Sequence, residues 1–256
     1  MEAFHYTVAR VPHEIAEAQR VRWMVYGEEE QLLPSSASVA GREIDARDDD
    51  EDTIHLLVRD GEEPVGTVRL LPARPCSGPR TRLGLELEST FVLRAGATNQ
   101  FIPAEVTRFC VLRRYRCTGV TRTLYAALCT ESLRRGITHW FAAANMGTDF
   151  AEDASLAYHL VCARTLLDGG FHARPRVGPP WHTPRRRACY TEEQRQSASR
   201  GELDGLAVPR TIALFATRMG ARYIGPPAYD RYFNVFALPL VTRLSPGLPE
   251  PDGAAR

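Results

Sequence analysis

Hydrophobic and polar positions along this chain switch between a helical and a strand period. Residues 13–26, HEIAEAQRVRWMVY, scatter Ile15, Ala18, Val21, Trp23 and Val25 among charged residues and read as an amphipathic helix. A polar stretch over 27–50 follows, with Pro34, two serines and Gly41, long enough to be functional or disordered. TIHLLVRD, the turn GEEP and VGTVRLLP then alternate about Asp60-Gly61, which predicts a β-hairpin over 53–72. Residues 73–103 read as irregular, rich in Pro, Gly and Arg, and EVTRFCVL at 105–112 as a third strand. In the next segment Val120, Leu124, Ala127 and Leu128 share one helical face, and Gly136 supplies the C-terminal cap. THWFAAAN at 138–145 predicts a strand, and a helix over roughly 153–168 runs into Asp168-Gly169-Gly170.

Residues 174–206 change character, with four prolines, the triple Arg185-Arg186-Arg187 and few large apolar groups; they read as a mobile insertion. A short helix near 208–219, the turn GPP and a strand at 232–241 complete the order. No internal repeat is visible. The order predicts an α/β (α+β) fold, a single domain over 1–245 around one central sheet, with 246–256 as a flexible tail.

Composition narrows the class. With 256 residues, 44% hydrophobic and 25% charged, the chain is outside the disordered and fibrous classes and long enough for a core without disulfides. Its 32 basic residues are all Arg and face 31 acidic ones, so no nucleic-acid footprint is expected. The absence of Lys excludes Schiff-base and Lys-nucleophile mechanisms. No apolar run reaches the length of a transmembrane helix, and MEAFHYTVARVPHE lacks the order of a signal peptide. The six cysteines form no CxxC pair and the seven histidines show no metal-ligand spacing, so no metal site is expected. These features together point to a cytoplasmic protein with reduced thiols.

The candidate chemistry concentrates where the third strand meets its helix. Gly119 opens that helix, whose free N–H groups and dipole favour an anion, and Arg116 and Arg122 add positive charge. An ordinary turn with solvated arginines fits equally well. Glu105, on the strand beside that turn, reads either as a general base for an amine or as an ion-pair partner of Arg22 or Arg69. Glu105 and Arg108 are three apart, so a regular strand points them to opposite faces, and a β-bulge within 105–110 would reunite them. Arg22, Arg69, Asp45 and Asp48 read as a charge network or as surface salt bridges. Asp48 to Asp52 reads as a solvated charge run rather than a calcium loop. Cys110 reads as an inert buried thiol. Trp140, Phe141, Phe150 and Tyr125 read as core or as the lining of an acyl tunnel.

Arg116-x-x-Gly119-x-Thr121 resembles the phosphate loop of the GNAT acyltransferases, with Thr121 departing at the last position. Arg22-x-x-x-Tyr26-x-x-Glu29, Glu43-x-Asp45-x-x-Asp48, Gly66-Thr67-x-Arg69-Leu70-Leu71-Pro72 and Glu105-x-Thr107-Arg108-Phe109 resemble one branch of that superfamily. The branch comprises acyl-homoserine lactone (autoinducer) synthases, long-chain N-acyl amino acid synthases and ornithine-lipid N-acyltransferases. The segment from Pro209 to Val241 is similar to its non-lactone members, and residues 27–44 lack the Trp usual in autoinducer synthases.

The resemblance implies a mixed, mostly antiparallel sheet with splayed central strands, flanked by helices. It implies transfer of a medium- or long-chain acyl group from acyl carrier protein, or acyl-CoA, to the amine of an amino acid or its derivative. The acyl-phosphopantetheine is a co-substrate, and no cofactor is bound permanently. Glu105 and Arg108 take catalytic roles; Arg22, Tyr26, Asp45, Asp48, Arg69 and Phe91 bind substrate; Arg116, Gly119, Thr121 and Arg122 hold the phosphate. An autoinducer synthase using S-adenosylmethionine is the alternative, and a non-catalytic carrier-protein-binding module the second. Arg174, Arg176 and Arg185 to Arg187 read as a solvated loop, a dock for an acidic carrier protein, or a peripheral contact with the inner face of a membrane.

Overall fold

The computed structural model describes residues 4–74, 83–95, 101–178, 180 and 183–244, and the expected tail at 246–256 lies outside them. In chain order the elements are β1 (His5–Ala9), α1 (Pro12–Trp23), β2 (Ile54–Asp60), β3 (Glu63–Pro72), β4 (Phe91–Ala95), β5 (Pro103–Val111), α2 (Val120–Leu133), β6 (His139–Asn145), α3 (Ala151–Ala163), β7 (Phe171–Pro175), α4 (Glu192–Ser199), α5 (Arg210–Arg218), β8 (Arg222–Tyr223), β9 (Ala228–Asp230) and β10 (Val235–Arg243). Among the described residues the six strand pairs with a defined register are antiparallel, and the chain has the mixed α/β, mostly antiparallel architecture expected.

Six elements escaped the pattern, among them the two- and three-residue strands β8 and β9. β1, β4 and β7 are five residues each, too short to carry a strand period. α4 is eight residues of polar sequence within 174–206, started by a Thr191–Gln194 capping box. The helix expected to reach 168 stops at Ala163, because Thr165 takes φ +53°. Asp168 then closes a turn, accepting the N–H groups of Gly170 at 2.6 Å and Phe171 at 2.9 Å.

The chain divides into two compact units. The first comprises Met1–Ala73, Ile102–Trp140 and Leu244–Arg256. Its strand order is β1-β2-β3-β5. Directly paired residues share a face, so the registers sort this sheet into two chemistries. One face carries Ile54, Leu56, Val58, Val68, Leu70, Val106 and Val111, and packs on Val120, Leu124 and Leu128 of α2. Gly66 is the point of closest approach: a Cβ there would lie 2.9 Å from Val120 and 3.0 Å from Leu124. The opposite face carries His55, Leu57, Thr67, Arg69, Glu105, Thr107 and Cys110. Ala18 and Ile15 of α1 pack on Leu57 and Ala9 there, which leaves the last turn of α1 over the polar residues.

The second unit comprises Arg74–Phe101 and Phe141–Arg243. Here β10 pairs with β6 and β8, β9 adds to β10, and β4 pairs with β7 as a separate two-stranded ribbon. Phe171 buries its ring edge-to-face against Phe101 at 5.3 Å and Phe141 at 5.2 Å. Two buried aspartates hold the segment before α4. Asp149 accepts the N–H groups of Arg186 and Arg187, while Asp153 accepts that of Cys189 and pairs with Arg195 at 2.7 Å. Among the described residues no helix is long and apolar enough to cross a membrane.

Candidate active site

Arg22 ends α1 on the polar face of the first unit's sheet and is fully buried. A buried guanidinium needs partners, and the 43–48 loop supplies them. Arg22 donates to Asp48 Oδ1 at 2.8 Å and to the Glu43 carbonyl at 2.6 Å, and its Nε meets Glu43 Oε2 at 2.5 Å. Arg69, from β3, reaches Asp48 at 2.9 Å and Asp45 at 3.0 Å, and its Nε donates to Thr107 Oγ1 at 3.0 Å. Arg108 reaches Glu43 at 3.0 Å and Asp45 at 2.7 Å. Three cations and three carboxylates thus form one connected cluster, buried at Arg22, Glu43, Asp48 and Arg69. It opens at Asp45 and Arg108, whose side chains are 15% and 11% exposed.

Arg22, Asp45, Asp48 and Arg69 therefore come together as a buried network, not as surface salt bridges. Asp48 is a correction to the solvated-run reading: it is 2% exposed and only the rest of the run faces water. Burial pushes its carboxyl up, but the Arg22 hydrogen bonds and charge, the Asp45 N–H and the Arg69 charge outweigh that and hold it well below the ordinary carboxylate range. Burial likewise opposes ionisation of Asp45, and Arg69, Arg108 and the Arg47 N–H overcome it.

The β5 register explains how Arg108 joins. Arg69 pairs with Thr107 and Thr67 with Cys110, so three steps on β5 match two on β3. That extra residue is a β-bulge, and Arg108 sits in it with φ +56°, a left-handed conformation that costs an arginine roughly 1–2 kcal/mol. A regular strand would aim Arg108 at the apolar α2 face. The bulge turns it toward Glu43 and Asp45 instead and keeps Cys110 on the polar face. Glu105 lies opposite Leu71 on that same face, 5% exposed and one alternation from Thr107.

After Trp23 the helix continues as a π-helical turn, Met24–Glu29. Gly27 is required there, since a Cβ would lie 2.6 Å from the Trp23 ring. The turn sets the Tyr26 hydroxyl 3.5 Å from the Phe109 carbonyl, in contact with the Cys110 thiol. Burial pushes that thiol up to about 12 despite Tyr26 and Arg22, so it stays protonated and unreactive at neutral pH. The same turn carries Glu29 and Glu30. They pair with Arg116 at 2.9 and 2.6 Å, and its Nε donates to the Val111 carbonyl at 3.1 Å. Arg116 therefore braces the end of α1 to the turn before α2. Gly119 caps α2, Thr121 and Arg122 form its first turn, no acidic residue lies there, and Arg122 is exposed. Phe91 is fully buried on β4 in the second unit.

Sequence reasoning missed two members of the cluster. Gln19 lies one helical turn before Arg22 and donates to Asp48 at 3.0 Å. His55, opposite Arg69, is 1% exposed; burial lowers its pKa, and the neutral ring places Nε2 3.2 Å from the Asp48 carbonyl. The available signals were the i, i+3 spacing from Arg22 and one histidine inside the apolar run of β2. Glu43 was visible as part of the acidic motif but not singled out.

A family model described as Acetyltransferase (GNAT) domain matches residues 21–126. That span holds Arg22, the acidic loop, the bulge and the first turn of α2. No curated protein matches the chain. Solved structures similar to it include BjaI, a CoA-dependent acyl-homoserine lactone synthase, with SAM and isopentyl-CoA, at 19% identity over 94% of this chain and 83% of that one, TM-score 0.47. FeeM, an N-acyl amino acid synthase from uncultured soil microbes, is 13% identical over 94% of this chain and 91% of that one, TM-score 0.48. An aminoglycoside 6'-N-acetyltransferase complexed with coenzyme A is 10% identical over 97% and 100%, TM-score 0.49.

Proposed function

We propose, from the match of residues 21–126 to a family model described as Acetyltransferase (GNAT) domain, that this protein is an N-acyltransferase. It moves a medium- or long-chain acyl group from the phosphopantetheine thioester of acyl carrier protein or coenzyme A to the amine of an amino acid or its derivative. The observation that carries the reading is the partly exposed end of the ion cluster. Asp45 and Arg108 stand 2.7 Å apart, an anion beside a cation, which complements the ammonium and carboxylate of an amino acid.

In this reading Arg69 and Thr107 fix the wall on which the acceptor rests, and Arg22 with Asp48 holds that wall from beneath. The acceptor ammonium first releases one proton to solvent, which frees its lone pair, and Glu105 takes a second proton as that nitrogen attacks the thioester carbonyl carbon, then passes it on to the departing sulfur. A C–N bond forms and the C–S bond breaks; the sulfur leaves as thiolate and takes up the proton. In this reading transfer is direct: the Cys110 thiol is buried and held protonated, so it is a poor nucleophile for the thioester. The N–H groups of Thr121 and Arg122, with the Arg122 guanidinium, take the phosphate of the phosphopantetheine arm. Arg116 acts on that turn through its brace to Glu29 and Glu30.

Mass spectrometry of lipid extracts from cells expressing the parent or Glu105→Gln tests the reading. An N-acyl amino acid series present only with the parent supports it and identifies acceptor and chain length. Acyl-homoserine lactones would replace it with the autoinducer reading. The same series from both strains would remove Glu105 as base. No new lipid, with retention on acyl carrier protein, would leave a binding module.

A further inference from the structure

The ribbon of β4 and β7 has an outer face that the acyl-transfer reading does not use. Phe91, Leu93, Phe171 and Ala173 point inward and are buried, while Val92, Arg94, His172 and Arg174 alternate outward. The register sets His172 opposite Arg94 and Arg174 opposite Val92. Arg94 and Arg174 are therefore diagonal neighbours, within reach of each other's long side chains, and like charges so placed destabilise a ribbon. Neither forms an ion pair among the described residues. No Asp or Glu occurs in 89–104 or in 169–191, the stretches that contain the two strands, although the second holds five arginines. A shallow groove of about 280 Å³ runs along this face, lined by Val92, Arg94, His172, Ala173 and Arg174.

The chain beyond β7 is fixed to the turn that leads into β4. Arg176 donates its N–H to the Thr90 carbonyl at 2.9 Å and its Nε to the Glu88 carbonyl at 2.5 Å. Val177 follows, 69% exposed, an apolar side chain held out beside the arginines. The triple arginine contributes less, since Arg185 pairs with Glu152 at 2.8 Å and lies over the Phe150 ring at 4.4 Å.

We infer that the outer face of the β4–β7 ribbon docks on a membrane surface rich in anionic phospholipid, with Arg94 and Arg174 on the phosphates and Val177 at the acyl boundary. Guanidinium matches phosphate bidentately, so uncompensated arginines gain more from a phosphate layer than from water. An acidic protein would satisfy the arginines but set Val177 against its polar surface, whereas a headgroup layer accommodates both. The assignment is independent of the acyl-transfer reading.

Sedimentation of the full chain with vesicles tests it. The protein is expected to pellet with mixed phosphatidylglycerol and phosphatidylcholine, to stay in solution with phosphatidylcholine alone, and to be released by high salt. Each arginine is worth about fivefold in partitioning, so Arg94→Ala with Arg174→Ala weakens binding about 25-fold. The same charge change at exposed Arg20 and Arg218 leaves binding unchanged. Both ribbon side chains are exposed and mutually repulsive, so the double variant melts no lower than the parent. Equal binding by parent and double variant would overturn the assignment. So would no sedimentation of the parent, or its retention on acyl carrier protein with no affinity for anionic vesicles.

Discussion

Asp48→Asn isolates the energetics of the buried cluster with almost no change in shape. The Asp48 carboxylate accepts from both terminal nitrogens of Arg22, from Arg69 at 2.9 Å, from Gln19 at 3.0 Å and from the Asp45 N–H at 3.0 Å. An amide has one acceptor oxygen, and its NH2 would face a donor on any of those sides. Arg22 and Arg69, at 0% and 1% exposure, would keep full charge with Glu43 and Asp45 alone to balance three cations. Breaking a buried pair from one side costs about 3–5 kcal/mol. A folded domain has about 5–15 kcal/mol in total. For a urea slope of about 2 kcal/mol/M the midpoint falls by about 2 M. The assay is urea unfolding followed by tryptophan fluorescence, since Trp23 and Trp140 both lie in the first unit. The pH dependence adds a second constraint. Asp48 has its folded pKa lowered, so its contribution is complete above the unfolded value of about 3.9 and disappears as pH falls through the folded value. The stability gap between parent and variant is therefore constant at neutral and mildly acidic pH and narrows only below about 4. A gap under about 1 kcal/mol at pH 7 would refute the account of a cluster held by mutual desolvation.

Three further outcomes follow from the same geometry. Gly66→Val forces a side chain to within 3.0 Å of Val120 and Leu124 and is expected to cost about 1–3 kcal/mol, read as a lower Tm; an unchanged Tm would mean β3 and α2 are not in contact. Arg108→Gly and Arg108→Ala lose the same ion pairs, but glycine accepts the φ of +56° freely, so the glycine variant should be more stable by about 1 kcal/mol in urea; the reverse order would disprove the bulge. Cys110→Ala should keep kcat within a few-fold, and in the native parent exposed Cys117 should alkylate well before Cys110; rapid loss of activity on modification of Cys110 would restore it as a nucleophile.

What could be read from the sequence followed the strength of local patterning. The hairpin that became β2 and β3, the strand β5 and the helix α2 carry their period in many apolar residues, so tertiary context had little to add. β4 and β7 could not be read that way, because five residues with two outward positions each are too short for a periodic signal until the partner strand is known. The acidic loop was legible as a motif but not as a buried one. Asp48, at the head of four further acids, becomes interior only because Arg22 and Arg69 arrive from α1 and β3. Arg116 shows the opposite case: beside a helix N-terminus it suggests a phosphate ligand, and only the π-helical turn reveals Glu29 and Glu30 against it.

The bulge links these observations. A strand that reads Glu105-Val106-Thr107-Arg108 in strict alternation would send the arginine to the apolar α2 face. Either that face would have to admit a charge, or β5 would have to give up its pairing with β3. One extra residue resolves the conflict, and it restores parity so that Cys110 and Val111 still find the polar and apolar sides. The conformational strain at Arg108 is small beside the cost of an unpaired buried guanidinium, and the Glu43 and Asp45 carboxylates offset it. The strain falls where the cluster opens to solvent. In the proposed function the residue that the fold holds in an unfavourable conformation is the one the acceptor touches, so the fold and the proposed chemistry depend on the same register shift.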